Sequence, residues 1–262
     1  MSPQRRERSS AGRSLDGRTV IVTRPTDRST DLVDELERRG ARAIVAPVIR
    51  IMPIRSATLT NALRALEAGE FEWITLTSRA TIDVLADRLP SPRALHAKVA
   101  TIGDGTAEAF HRWARRDADL QPRTFTTTAL ARSFPKGRGR VLCARADIAP
   151  PGLEESLAAK GWSPTRVDAY RTVFPRSLPA EARAALRAGQ VDAVTFTSAS
   201  TVRGFLGALG PMKGAPRVVC IGPVTAKEAR TRGLTVHTVA DPHTIEGLVA
   251  AVERACRPRS GR

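Results

Sequence analysis

The sequence predicts an α/β protein: two parallel-sheet lobes joined by a two-stranded linker, arising from an internal duplication. Three observations predict it. Short apolar runs alternate with helix-patterned stretches along the 262 residues, as expected of parallel strands covered on both faces. The chain repeats itself at a spacing of about 120 residues, the size of a domain rather than of a solenoid unit. In each copy a Pro-marked extended segment follows the first strand–helix–strand unit.

The repeat can be read residue by residue. Val20-Ile21-Val22-Thr23 ends on Arg24, a helical pattern runs to Gly40, and an extended run reaches Pro47-Val48-Ile49. Val141-Leu142-Cys143-Ala144 ends on Arg145 and bends through Pro150-Pro151-Gly152. A helical pattern then runs to Gly161, and a second extended run leads to the only tyrosine, Tyr170. Trp73 to Thr81 (WITLTSRAT) returns as Ala193 to Thr201 (AVTFTSAST), and Val99 to Ala107 (VATIGDGTA) as Val218 to Ala226 (VVCIGPVTA). Matched blocks in one order at one offset mark duplication without recourse to any other sequence.

In order, residues 1–16 are polar and rich in Arg and Ser, the composition of a disordered basic tail. Val20 to Thr23 is a buried strand. A helix covers Thr26 to Arg39, with Leu32, Val33 and Leu36 at helical spacing and Gly40 as its stop. Arg42 to Ala46 is the second strand, and Ile49 to Ile54 is an extended linker punctuated by Pro47 and Pro53. Leu59 to Glu67 is amphipathic; Trp73 to Leu76 is strand and Ala80 to Leu89 helix; Val99 to Ile102 is strand and Thr106 to Arg115 helix. A short helix, Thr128 to Phe134, precedes the second copy at Val141. There the linker is Tyr170 to Pro175, followed by a helix from Pro179 to Ala188. Strands Ala193 to Phe196 and Val218 to Ile221 each lead into a helix. A last strand, Thr235 to Val239, precedes the closing helix Ile245 to Ala255. Two arrangements fit this order. Either the linkers cross, so that the first βαβ unit joins the last strands of the chain in one of two flavodoxin-like lobes, or two plain lobes lie in tandem.

Composition narrows the function. An apolar fraction of 42% is ample for buried cores, no apolar run reaches the length of a membrane span, and the Arg-rich start lacks an apolar signal core. Three cysteines without metal-ligand spacing and four scattered histidines offer no metal site, and fit a reducing cytoplasm. Cys143 and Cys220 lie within apolar strand runs and read as small buried residues. Of the net charge of +16, residues 1–16 carry a net two and residues 257–262 three, which leaves about +11 on the body of the chain. An anionic partner follows. With 4% aromatic residues and no helix carrying a clustered basic face, a small polyanion fits better than nucleic acid.

Ligands of such sheets bind where strands end and helices begin, facing free N–H groups and a positive dipole. That picks out Thr77-Ser78 and Thr197-Ser198 after one strand of each copy, and Gly103 to Thr106 and Gly222 to Thr225 after the next. Hydroxyls and amides there would hold carboxylates or phosphates. The local alternative is that they are helix N-caps, which favour Ser and Thr on their own account. Neither glycine pair completes a nucleotide-binding motif.

These residues carry a family resemblance. Thr23-Arg24-Pro25, Leu76-Thr77-Ser78, Phe196-Thr197-Ser198, Ile-Gly-x-x-Thr-Ala at Ile102 to Ala107 and again at Ile221 to Ala226, and Ala169-Tyr170-Arg171-Thr172-Val173 together resemble the uroporphyrinogen-III synthases of haem and corrinoid biosynthesis, over Gly17 to Ala255. The resemblance implies two lobes with the first segment exchanged. The expected division is residues 17–48 with 176–256 as one lobe, 55–168 as the other, 49–54 and 169–175 as linker strands, and 1–16 and 257–262 as tails.

It also implies the reaction. The linear tetrapyrrole hydroxymethylbilane, with eight carboxylates, would be cyclised between the lobes with loss of water and inversion of ring D, without metal or organic cofactor. Tyr170 matches the family's candidate acid, and Thr106 and Thr225 match threonines that matter in the family. Arg24 and Arg145 are candidate carboxylate partners. For Tyr170 the competing role is a packed linker residue, and for the arginines, solvated strand ends. The expectation is a cytoplasmic monomer without nucleic-acid or membrane partners, with hydroxymethylbilane synthase as a possible donor of substrate. The alternative function is a non-catalytic tetrapyrrole- or anion-binding regulatory module.

Overall fold

The computed structural model describes residues 14–257. The expectations for 1–13 and 258–262 lie outside the described residues. The first segment forms β1 (Thr19–Val22), α1 (Thr30–Arg38) and β2 (Arg42–Val45). The middle forms β3 (Arg50–Pro53), α2 (Ala57–Glu67), β4 (Trp73–Leu76), α3 (Arg79–Arg88), β5 (Lys98–Thr101), α4 (Asp104–Ala114), α5 (Thr127–Ser133), β6 (Arg140–Ala146), α6 (Gly152–Ala158) and β7 (Ser163–Val173). The last segment forms α7 (Ala180–Ala188), β8 (Ala193–Phe196), α8 (Ala199–Ala208), β9 (Arg217–Cys220), α9 (Pro223–Thr231), β10 (Val236–Val239) and α10 (Ile245–Cys256).

The chain divides into two compact units, one of residues up to Arg50 and from Val173 onward, the other Ile51–Thr172. The first unit holds a five-stranded sheet in the order β10-β9-β8-β1-β2, and the second a five-stranded sheet in the order β3-β7-β6-β4-β5. The first βαβ unit therefore completes the sheet of the chain's last strands: β1 lies parallel to β8, with Val20 opposite Ala193. Two buried threonines hold that junction. Thr23 Oγ1 donates to the Thr195 carbonyl at 2.6 Å, and Thr195 Oγ1 donates to the Ile21 carbonyl at 3.1 Å.

Strand side chains alternate between faces, so each sheet feeds two cores. In the first unit Ile21, Val194, Phe196 and Cys220 pack on one face under α7, α8 and α9. Val20, Val22, Ala193 and Val219 pack on the other under α1 and α10. In the second, Ile74, Leu76, Val99 and Leu142 face α2, α3 and α4, while Trp73, Ala100, Val141 and Cys143 face α5, α6 and Trp162. Both faces are covered, which is why β1, β4 and β8 show no exposed position.

Two local expectations change. Residues 14–16, counted with the basic tail, belong to the fold: Leu15 is fully buried beside Val20 and Leu36, and its N–H donates to the Arg39 carbonyl at 2.9 Å. One apolar residue in a polar stretch is enough to anchor the turn. The second linker does not begin at Tyr170 as a separate segment. It continues β7, a single strand of 11 residues that runs beside β3 at the edge of the second sheet.

Candidate active site

Strands β1, β8 and β9 run parallel, as do β4, β5, β6 and β7, so within each sheet their carboxyl ends form one edge. In the second unit Leu76 lies opposite both Thr101 and Ala144, which brings Thr77, Ser78, Gly103 and Thr106 to one edge. Tyr170 reaches the same edge, opposite Ala146. In the first unit Val22 lies opposite Thr195, and Phe196 opposite Cys220. Arg24, Thr197, Ser198, Gly222 and Thr225 follow these strand ends.

The hydroxyl turns and the glycine turns are built differently. Ser78 is the N-cap of α3, its Oγ accepting from the Ala80 N–H at 3.2 Å. Ser198 caps α8, its Oγ accepting from the Thr201 N–H at 3.2 Å, and Thr201 Oγ1 accepts from the Ser198 N–H at 3.2 Å. These serines satisfy their own helices, as Ser and Thr caps do. Each also owns a hydroxyl proton, which the capping bond does not use. α4 and α9 start from Gly103 and Gly222 with no side-chain cap, which leaves first-turn amides for a ligand. Thr106 and Thr225 occupy the third helical position in each case, and both are buried.

The two glycine turns are not equivalent. A Cβ on Gly103 would stand 2.9 Å from Phe125 Cγ, whereas one on Gly222 would meet the His243 ring at 3.6 Å, an ordinary contact. α4 opens with Asp104, whose carboxylate accepts from Gln121 Nε2 at 2.7 Å; the first turn of α9 holds no acidic residue. An acid at the first helical position already complements the dipole and repels a second anion. The α9 turn lacks that repulsion, and its donors are the amides of Val224 and Thr225, since Pro223 has no N–H. Comparing Asp104 with Pro223 across the repeat would have revealed this.

Arg145 is already engaged within its own unit. It is 2% exposed, and Nη1 donates to Glu154 Oε2 at 2.9 Å and to the Pro150 carbonyl at 2.8 Å. An arginine at a strand end looks identical in sequence whether its carboxylate comes from a ligand or from the next helix. Arg24, its counterpart in the repeat, is half-buried after Thr23. Sequence reasoning missed Arg79. It opens α3, and its Nε donates to the Gly105 carbonyl at 2.7 Å, tying the serine turn to the glycine turn. The repeat carries Ala199 there, so the mismatch was the available signal.

Tyr170 is 6% exposed and belongs to the core shared by β4, α2, α3 and α4. Burial pushes the Cys143 and Cys220 thiols up to about 12, so neither is a thiolate nucleophile near neutral pH. Among the described residues no group of three His, Cys, Asp or Glu could hold a metal ion, and no helix is long and apolar enough to cross a membrane.

Each sheet edge thus carries an uncapped glycine turn followed by a buried threonine, and the second sheet adds the buried Tyr170. The model of the family described as Uroporphyrinogen-III synthase HemD matches residues 30–250, and the chain belongs to that family. The Porphyrin biosynthesis protein HemD of Ruminiclostridium josui is 32% identical over 248 residues, which cover 90% of this chain and 48% of that protein; the chain spans about half of that relative's length. The uroporphyrinogen-III synthase of Synechococcus elongatus is 26% identical over 263 residues, 94% of this chain and 98% of that one. A crystal structure of a mutant uroporphyrinogen III synthase from the extremely thermophilic bacterium Thermus thermophilus shares the fold, with a TM-score of 0.67 at 21% identity, covering 91% of this chain and 98% of the other.

Proposed function

We propose that this chain cyclises hydroxymethylbilane to uroporphyrinogen III with loss of water, inverting ring D, as a cyclising lyase of tetrapyrrole biosynthesis. The observation that carries the reading is one geometry found in both units: neighbouring parallel strands ending in a hydroxyl turn and an uncapped glycine turn. A ligand with many carboxylates is what such turns suit.

In this reading the amides after Gly103 and those after Pro223, the hydroxyls of Thr77, Ser78, Thr197 and Ser198, and Arg24 bind carboxylates, with Thr106 and Thr225 supporting the glycine turns from within. Tyr170 donates its phenolic proton to the hydroxymethyl oxygen. The C–O bond breaks, water leaves, and the pyrrole nitrogen supplies the electron pair that makes the terminal carbon an electrophilic azafulvene. The substituted carbon of ring D attacks that carbon to give a spiro intermediate. Its fragmentation and reclosure invert the ring, and the proton lost on rearomatisation returns to the phenolate. The free bilane closes without inversion, so the protein's larger contribution is to hold the ends in one geometry. The same reading has the chain act as a cytoplasmic monomer that can take substrate from hydroxymethylbilane synthase.

Incubation with freshly generated hydroxymethylbilane, followed by oxidation and isomer analysis, tests the function. Type III product is expected; type I alone, as in buffer, would leave the non-catalytic anion-binding module. Tyr170→Phe should lower kcat by roughly 10²- to 10⁴-fold, the usual contribution of a general acid, with little change in product binding. Unchanged turnover removes Tyr170 from the chemistry.

A further inference from the structure

We infer that Asp147 is the positioning residue for Tyr170, an assignment that rests on the catalytic reading of Tyr170 above. The parallel ladder between β6 and β7 breaks one step before the tyrosine. Arg145 lies opposite Asp168, the register shifts, and Ala146 lies opposite Tyr170. β6 ends there, so the ladder alone stops guiding β7 where the tyrosine must be aimed.

Asp147 takes over with three bonds to three consecutive residues. Its N–H donates to the Tyr170 carbonyl at 3.0 Å. Its Oδ2 accepts from Arg171 Nε at 3.2 Å, and its Oδ1 accepts from the Thr172 N–H at 3.2 Å. The loop that presents this carboxylate is itself held at both ends. Arg166 Nη2 reaches the carbonyls of Ala146 and Asp147 at 3.4 Å, and the buried Arg145 holds the Pro150 carbonyl and Glu154. On the far side of β7 the Ile54 N–H donates to the Ala169 carbonyl at 3.0 Å. Residue 169 is therefore held from the far side, and on the β6 side Asp147 holds 170 to 172. The side chain is 22% exposed and both of its oxygens are engaged, so it acts through the strand rather than on the substrate.

The test is a double-mutant cycle on the full chain, reading kcat, KM and the ratio of type III to type I product. Asp147→Ala removes both carboxylate bonds. It is expected to lower kcat on the order of ten- to a hundredfold, the effect of a misplacement near 1 Å, with KM within about twofold. Asp147→Asn keeps one oxygen for the Thr172 N–H and should lose less, on the order of three- to tenfold. In a Tyr170→Phe background either substitution should cost less than about twofold more, because the group it positions is gone. Full additivity in that background, or wild-type kcat in the Asn variant, overturns the inference; the Asn variant decides if the Ala variant does not fold. Wild-type kcat in Tyr170→Phe alone overturns the reading of Tyr170, and with it this assignment. That outcome is distinct from a deficient Tyr170→Phe beside an unaffected Asp147→Asn.

Discussion

Glu154→Ala asks whether Arg145 belongs to the scaffold or to the substrate. The wild-type guanidinium is 2% exposed and rests on Glu154, whose own side chain is 12% exposed, and on the Pro150 carbonyl. Removing the carboxylate leaves a buried cation facing one neutral acceptor. Breaking a buried pair from one side costs about 3–5 kcal/mol; water reaching the rim of Glu154 favours the lower figure, about 3 kcal/mol. The sequence supplies a selective reporter. Trp73, Trp113 and Trp162 are the only tryptophans, and all three lie in Ile51–Thr172. Tryptophan fluorescence therefore follows that unit alone, while far-UV circular dichroism follows both. With a urea slope of about 2 kcal/mol/M, the fluorescence midpoint should fall by about 1.5 M. The KM of the folded variant should not change. A midpoint shift below about 0.3 M, less than 1 kcal/mol at that slope, would refute the scaffold role, and a raised KM alongside it would return Arg145 to the substrate set.

The unequal glycine turns and one titrating sheet edge give three further tests. Gly103→Ala forces a Cβ to within 2.9 Å of Phe125 Cγ and should lower kcat/KM on the order of tenfold, while Gly222→Ala, with 3.6 Å of room, should stay within about twofold; equal losses in steady-state kinetics would contradict the close-approach argument. His237 Nδ1 accepts from the Val218 N–H at 3.1 Å, joining β10 to β9. Burial, and then the neighbouring Arg217, hold its pKa below the ordinary 6.5, against the pull of the Thr235 backbone. A depressed histidine favours the neutral form in the fold, so its contribution is complete above the unfolded value and is lost as pH falls through the folded one. The circular dichroism melting temperature should therefore drop below pH 6.5. His237→Asn, which retains an acceptor without a titrating ring, should flatten that drop, and a wild-type profile in the variant would refute the assignment.

Much of the architecture was legible in the sequence because it depends on period and punctuation. Val20 to Val22, Trp73 to Leu76 and Ala193 to Phe196 are apolar on both faces, and the helices between them have an apolar stripe, so parallel sheets followed. What stayed hidden depends on partners brought together from elsewhere in the chain. Leu15 gives no periodic signal and is placed by α1 and α10. Arg145 and Arg24 look equivalent until α6 supplies Glu154 to one of them. Asp147 has no motif, since its bonds depend on a register shift that no local pattern encodes.

The same distinction bears on how far Ser and Thr at strand ends can be read as ligand contacts. Ser78 and Ser198 are both N-caps, so their recurrence shows a shared helix start and does not by itself show a shared ligand. Gly103 and Gly222 argue more strongly, because a glycine cap gives up a side-chain bond. Replacing Ser, Thr, Asn or Asp with Ala at such a position costs about 1 kcal/mol, and with Gly roughly a few tenths, so a helix that starts on glycine accepts a small loss for open amides. At Gly103 packing gives a competing reason, the Phe125 ring lying where a side chain would go. At Gly222 it does not, for His243 leaves room for a Cβ. Gly222, with no acid in the first turn of α9, is therefore the position where an open helix start has least competition as the reason for a residue without a capping side chain. An added side-chain cap there, Gly222→Ser, gives the sharpest separation of helix stability from substrate affinity.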